Sequence, residues 1–381
     1  MIDTTRLIEA TPSAYSYPLL IKQLLHTPLI HAPEAQIVYR DQHRMTYRDL
    51  YHRINRLASA LAGLGVSPGD TVAVMDWDSH RYLECFFGVP MMGAVLHTVN
   101  VRLSPEQLLY TINHAEDEVI LIHQDFLPLL AGIKDRIETV KKYVIIKEGG
   151  PLPETSLEFA GEYEELLAGA EESYDFPEFD EKTMATLFYT TGTTGDPKGV
   201  AYSHRQLVLH TLGVAVSFGA INGPGRFRGD GVYMPLTPMF HVHGWGFPYV
   251  ATLFGVKQVY PGRYEPEMIV RLIESEGVTF SHCVPTVLHL VLSSEAAGRA
   301  DLSNWSAVIG GSALTKSLAR TAQERGIDIY SGYGMSETCP VLTITLYDPK
   351  ELEGDVERQI DLKTKTGWPI PLVALEVVDE A

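Results

Sequence analysis

Residues 189–199 read Tyr-Thr-Thr-Gly-Thr-Thr-Gly-Asp-Pro-Lys-Gly, which places four Thr, three Gly and one Lys in eleven positions. Glycine permits positive φ and close backbone approach, so several amide N–H groups can converge on an anion. Thr190, Thr191, Thr193 and Thr194 add hydroxyl donors around Gly192 and Gly195, and Lys198 adds a mobile positive charge. This is equipment for wrapping polyphosphate; the plainer reading is a polar β-hairpin turn. A Walker A loop is excluded, because G-x-x-x-x-G-K-[ST] cannot be aligned on Gly192, Gly195, Lys198 and Gly199.

Two more Gly-rich turns follow expected strands. Gly310-Gly311-Ser312-Ala313-Leu314 comes after a strand over 307–309, and Ser331-Gly332-Tyr333-Gly334-Met335-Ser336-Glu337-Thr338 after one over 327–330. Ligands in open α/β sheets bind beyond the carboxyl ends of strands, so the three turns are expected to meet in one cleft.

The elements that must position these turns alternate along the chain. Residues 46–64 predict an amphipathic helix with Thr46 and Asp49 as a capping pair and Gly65 at the C-terminal cap. Ser104, Pro105 and Gln107 open another helix. Strands are expected over 71–75, 119–123, 143–147, 185–189, 200–202 and 279–284, and helices over 203–212, 265–276 and 286–293, the last lining a pocket. Residues 149–180, rich in carboxylates with Pro151, Pro153 and Pro177, predict a solvated connection between two sheet units. The βαβα rhythm predicts an α/β fold of two mostly parallel, helix-flanked sheets.

Composition narrows the function. At 381 residues the chain has room for two or three subdomains. A net charge of −18 argues against a general nucleic-acid surface and against an anionic membrane. Cys85, Cys283 and Cys339 lie far apart without metal-ligand spacing, which predicts buried, reduced thiols in a cytoplasmic protein. The N-terminus lacks signal-peptide regions. The uncharged stretch 231–256 is interrupted by three Pro and two His, so it is expected to be buried strand, loop and helix rather than an integral membrane segment.

With these stretches in hand, the chain resembles the acyl- and aryl-CoA synthetase branch of the AMP-forming adenylating enzymes. Residues 189–199 match that family's phosphate loop, Pro238-Met239-Phe240-His241 its aromatic substrate-pocket motif, and 310–314 its adenine and acyl-pocket turn. Residues 332–338 match its Tyr-Gly-Met-Thr-Glu motif, with Ser336 where Thr is usual, and Gly367-Trp368-Pro369-Ile370-Pro371 its Gly-x-Pro-x-Pro segment. Residues 96–100, 115–117 and 240–249 look most like medium- and long-chain fatty-acid ligases, although Ser331 replaces a common Gln and His243-Gly244 an Asn-Ala pair.

The resemblance implies a first subdomain over 1–180, a second with the ATP loop and acyl pocket over 181–345, and the start of a small β-barrel over 346–381. It also implies a further lid domain carrying a catalytic Lys, so that this chain would bind ATP or acyl-AMP but turn over slowly or not at all by itself. The implied reaction joins a fatty carboxylate to ATP, giving acyl-AMP and pyrophosphate, and then passes the acyl group to coenzyme A. Two anions must meet, so the site needs charge neutralisation more than acid–base chemistry. Lys198, His241 and Glu337 are the implied catalytic residues; Thr194 and Glu337 would hold Mg²⁺. The phosphate-loop residues 190–195, with Gly311, Ser312, Ala313 and 332–336, would bind the nucleotide, with Tyr333 stacking on adenine. His241, Trp245, Gly310 and Gly311 would line the acyl pocket, although core packing is the plain alternative for His241, Trp245 and Tyr333. A homodimer is compatible with this reading. Rival readings load a carrier protein, oxidise the adenylate, or bind it without catalysis. A dinucleotide oxidoreductase is disfavoured by the lack of an early G-x-G-x-x-G between strand and helix.

Overall fold

The computed structural model describes residues 6, 8–190, 195–220, 227–345, 350 and 355–379. Its strands, in chain order, begin with β1 (Gln36–Tyr39), β2 (His43–Thr46), β3 (Thr71–Met75), β4 (Val95–Thr98) and β5 (Asp117–His123). They continue with β6 (Lys142–Ile146), β7 (Gly161–Glu162), β8 (Met184–Thr190), β9 (Lys198–Ser203), β10 (Val232–Leu236) and β11 (Lys257–Tyr260). The last are β12 (Phe280–Cys283), β13 (Ser306–Ile309), β14 (Asp328–Gly334), β15 (Val341–Ile344) and β16 (Trp368–Pro369).

They form a seven-stranded sheet ordered β7-β6-β5-β3-β4-β8-β9 and a nine-stranded one ordered β16-β15-β14-β13-β12-β10-β11-β1-β2. Pairing is parallel except at β8–β9, β1–β2, β14–β15 and β15–β16. The expected α/β architecture of two mostly parallel, helix-flanked sheets is therefore present. Sheet membership does not change at residue 180: β1 and β2 join the larger sheet, while β8 and β9 belong to the smaller.

Local signals set the helix starts. Thr46 and Asp49 form the capping box that opens the helix Tyr47–Gly63, whose Leu50, Ile54, Leu57 and Leu61 are buried. Ser104 and Gln107 do the same for Pro105–His114. Each such cap stabilises its helix by about 1 kcal/mol. The central strands are buried on both faces, as the five buried residues of β3 show.

Two expectations need correction. Within 149–180, residues Gly161–Glu162 pair with β6 and Tyr163–Gly169 is a helix, with Tyr163 and Leu167 buried. Acidic composition hid it, because Glu164 faces a basic pair: Arg53 at 2.9 Å and Arg81 at 3.0 Å. Burial alone would raise the Glu164 pKa, but a hydrogen bond with His80 and the charges of Arg53 and Arg81 hold it well below the usual range. The helix Pro285–Leu292 buries Leu288 and Val291 in the core of the larger sheet. None of its residues lines the cavity described below. After residue 345, the described chain forms the helix Val356–Lys363, tied to Lys316–Glu324 by Arg320–Glu357 at 2.6 Å, and β16.

Candidate active site

Four neighbouring parallel strands end in register. Leu236 of β10 pairs with Cys283 of β12, Cys283 with Ile309 of β13, and Ile309 with Ser331 of β14. Each chain segment leaving this edge is therefore delivered to the same side of the sheet. Residues 237–241 leave β10, Gly310-Gly311 leave β13, and Gly332–Ser336 run along and beyond the end of β14.

These segments enclose a cavity of about 260 Å³ lined by His241, Val242, Trp245, Phe247, Val308, Gly310, Gly311, Gly332 to Ser336, Pro340, Val341 and Ile344. The expected convergence holds for two of the three Gly-rich turns and for the segment ending at His241. Trp245 is buried and lies against the Gly310 backbone, so it is at once core residue and cavity wall. Tyr333 is 43 % exposed at the rim, which sets aside a core tyrosine. Ser312 and Ala313 are exposed just past the turn and do not line the cavity.

Behind the cavity wall the backbone is strained. Val242, His243, Gly244, Trp245 and Gly246 all have φ between 49° and 74°. Left-handed residues with a side chain cost about 1–2 kcal/mol each, and a β-branched Val is among the least tolerant. The turn swings the Trp245 indole toward Gly310. It also buries His243 among Phe86, Phe188 and Tyr202, with neither ring nitrogen hydrogen-bonded among the described residues. Burial, reinforced by the neighbouring His210, lowers the His243 pKa to about 3. His243 is therefore a neutral ring in an aromatic box.

The phosphate-loop residues sit on the smaller sheet. β8 and β9 form an antiparallel hairpin in which Thr190 pairs with Lys198, so a hairpin carries the residues read as a phosphate loop. Thr190 is half-buried, Gly195 has φ +97°, and Lys198 is exposed. Thr191, Gly192, Thr193 and Thr194 lie outside the described residues. The hairpin reaches the cavity through Tyr202, which sequence reasoning missed. Its hydroxyl donates to the Ser336 carbonyl and accepts from the Cys339 N–H at 3.1 Å. Glu337, exposed and next to the cavity-lining Ser336, contributes to the field that raises the Tyr202 pKa, after burial and Cys339.

His210 is a second missed residue: its Nε2 accepts from the Val341 N–H at 3.2 Å and so fixes a strand that lines the cavity. Partners separated by more than 130 residues leave no signal in a single sequence. The three cysteines are buried and free, as expected. Among the described residues, no group of three or more His, Cys, Asp or Glu could hold a metal ion, and no helix is long and apolar enough to cross a membrane.

The chain is 44% identical over 341 residues to a long-chain-fatty-acid–CoA ligase of Thermus thermophilus, covering 89% of this chain and 60% of that protein. It is 35% identical over 340 residues to a medium-chain-fatty-acid–CoA ligase of Ectopseudomonas oleovorans, covering 88% and 61%. It thus spans about three fifths of the length of these relatives. A 3-methylmercaptopropionyl-CoA ligase of Ruegeria lacuscaerulensis is 36% identical over 380 residues, 95% of this chain and 68% of that one. The fold matches an anthranilate CoA ligase solved with anthranoyl-AMP at a TM-score of 0.80, with 24% identity over 96% of this chain and 67% of that one. Residues 30–381 match the model of the AMP-binding enzyme family, and the chain belongs to that family.

Proposed function

We propose that this chain carries the nucleotide- and acyl-binding part of an ATP-dependent fatty acid–CoA ligase. The observation that supports it best is the single cavity shared by His241, Trp245, Gly310-Gly311 and Gly332–Ser336. Its lining combines aromatic and aliphatic side chains, suited to an alkyl chain, with glycine backbone and the exposed Tyr333, suited to a flat base. The names of the Thermus and Ectopseudomonas relatives support a medium- or long-chain carboxylate as the substrate.

In this reading the acyl carboxylate attacks the α-phosphorus of ATP and displaces pyrophosphate, and the thiol of coenzyme A then displaces AMP from the mixed anhydride. Thr190, Thr191, Gly192, Thr193, Thr194 and Gly195 cradle the leaving phosphates, and Lys198 offsets their charge. Gly311 and Gly332–Ser336 bound the nucleotide within the cavity, Ser312 and Ala313 reach it only from outside the lining, and His241 stands at the acyl end. The carboxylate of Glu337 is a hard oxygen donor beside the cavity-lining Ser336, which fits Mg²⁺. When bound, the ion would neutralise phosphate charge, with Thr194 as its second protein donor. Pyrophosphate release tests the reading: it should require both ATP and a fatty acid and show a chain-length optimum. ATP binding without acyl-dependent release would instead favour a non-catalytic adenylate-binding module.

A further inference from the structure

We propose that Asp78 is a positioning residue for the acyl pocket, anchoring from the smaller sheet the segment that carries His241. Asp78 follows β3 and is 3% exposed. Its Oδ1 accepts from the Met239 N–H at 2.8 Å, two residues before His241. Its Oδ2 accepts from the Tyr264 hydroxyl at 2.6 Å, and its backbone carbonyl from the Gly262 N–H at 2.9 Å. One residue just past β3 of the smaller sheet thus fastens the segments that follow β10 and β11 of the larger.

A second anchor lies beside it. Thr98, the last residue of β4, donates through Oγ1 to the Phe240 carbonyl at 3.1 Å, and the Arg102 guanidinium sits 5.8 Å from the Phe240 ring centroid. The segment 239–241 is therefore gripped by the carboxyl ends of two strands to which it does not belong. Burial raises the Asp78 carboxyl to about 7, against the hydrogen bonds from Tyr264 and Met239. A carboxyl kept in so unfavourable a place is explained by what it holds: removing it strands two buried donors and frees the segment before His241.

The pocket's ligand class rests on the ligase reading, so the test carries one readout that needs no ligand. That readout is the ring resonance of His241 across pH, assigned with His241→Gln. The His241 ring is exposed where it lines the cavity, and the protein packed around it, with the positive charge of Arg102, still holds its titration below the ordinary value. Asp78→Ala should move this titration toward the ordinary value and weaken a non-hydrolysable acyl-AMP analogue by about tenfold, leaving ATP affinity unchanged. Asp78→Asn, whose amide oxygen can still accept from Met239, should restore both. If Asp78→Ala does not fold, Asp78→Ser, one atom shorter, carries the same comparison. An unmoved His241 titration in the Ala or Ser variant overturns the proposal, as does an Asn variant that behaves like Ala. Should the wild-type chain bind no acyl adenylate, the ligase reading fails while the His241 resonance still decides the role of Asp78.

Discussion

The Trp245 indole lies against the Gly310 backbone so closely that a β-carbon at 310 would meet ring atoms Cη2 and Cζ3 at 3.0 and 3.3 Å. The Gly332 carbonyl, at 3.2 Å, closes the other side. Glycine is needed at 310 because the cavity wall itself occupies the space, whatever ligand the cavity holds. Gly310→Ala must push the indole by a few tenths of an ångström, an overpacking that costs about 1–3 kcal/mol. Acyl binding should fall. Trp245→Leu in the same chain should recover part of that loss, giving a coupling of opposite sign in a double-mutant cycle. Simple additivity of the two substitutions would show that the contact does not shape the pocket.

The Tyr202 hydroxyl joins the phosphate-loop hairpin to the Ser336–Cys339 segment. Tyr202→Phe leaves a half-buried carbonyl and a buried N–H without this partner, and should cost about 1–2 kcal/mol of stability. Because the two halves of the proposed nucleotide site would then move separately, ATP affinity should drop more than affinity for a free fatty acid. Equal losses on both ligands would point to general loosening instead.

The buried histidines predict acid sensitivity. His210, His243 and His282 are each lowered to about 3 by burial, from an ordinary 6.5. A depressed histidine leaves the unfolded chain binding more protons below 6.5, so stability is complete above that pH and is lost as pH falls toward 3. His243→Asn keeps a residue type that tolerates the left-handed backbone and removes one titrating ring. Whatever its effect at neutral pH, it should make the acid limb shallower by up to about 1.4 kcal/mol per pH unit. An unchanged slope in denaturant titrations between pH 4 and 6 would contradict the neutral, buried state (about two pH units being the range that separates the slopes).

Much of the scaffold was legible because its signals are local. The β3 strand is a five-residue buried run, and both capping boxes announce their helices within four residues. The shared cavity was legible in part, since the turns after β13 and β14 leave the same edge of one sheet, whereas the turn after β8 belongs to the other sheet and none of its described residues lines it. Long-range grips were not. Nothing near Asp78 points to Met239, 161 residues away, and nothing near Tyr202 points to Ser336. The helix Tyr163–Gly169 was missed because its carboxylates look solvated until Arg53 and Arg81 are placed beside Glu164. The four-residue strands β1 and β2 are too short for periodicity to separate from loop, and β11, through which β1 joins the larger sheet, lies more than 200 residues on.

Glu337 is exposed, so its removal should leave folding untouched. Glu337→Gln should abolish the Mg²⁺ dependence of ATP binding while the thermal midpoint stays within about 1 °C, since surface substitutions away from structural features change stability little. A lower midpoint with metal dependence intact would assign Glu337 a structural role in the 336–339 turn.

The most direct measurement is a calorimetric titration of the chain with non-hydrolysable acyl-AMP analogues of increasing chain length, beside AMP alone. A cavity that joins acyl and nucleotide sites predicts that each added methylene tightens binding by up to about 0.8 kcal/mol until the cavity walled by Trp245 is filled. It further predicts that Gly310→Ala moves that limit to a shorter chain. Affinity equal to that of AMP at every chain length would mean that the cavity between His241, Trp245 and Tyr333 does not receive the acyl group, and would contradict the ligase reading at its centre.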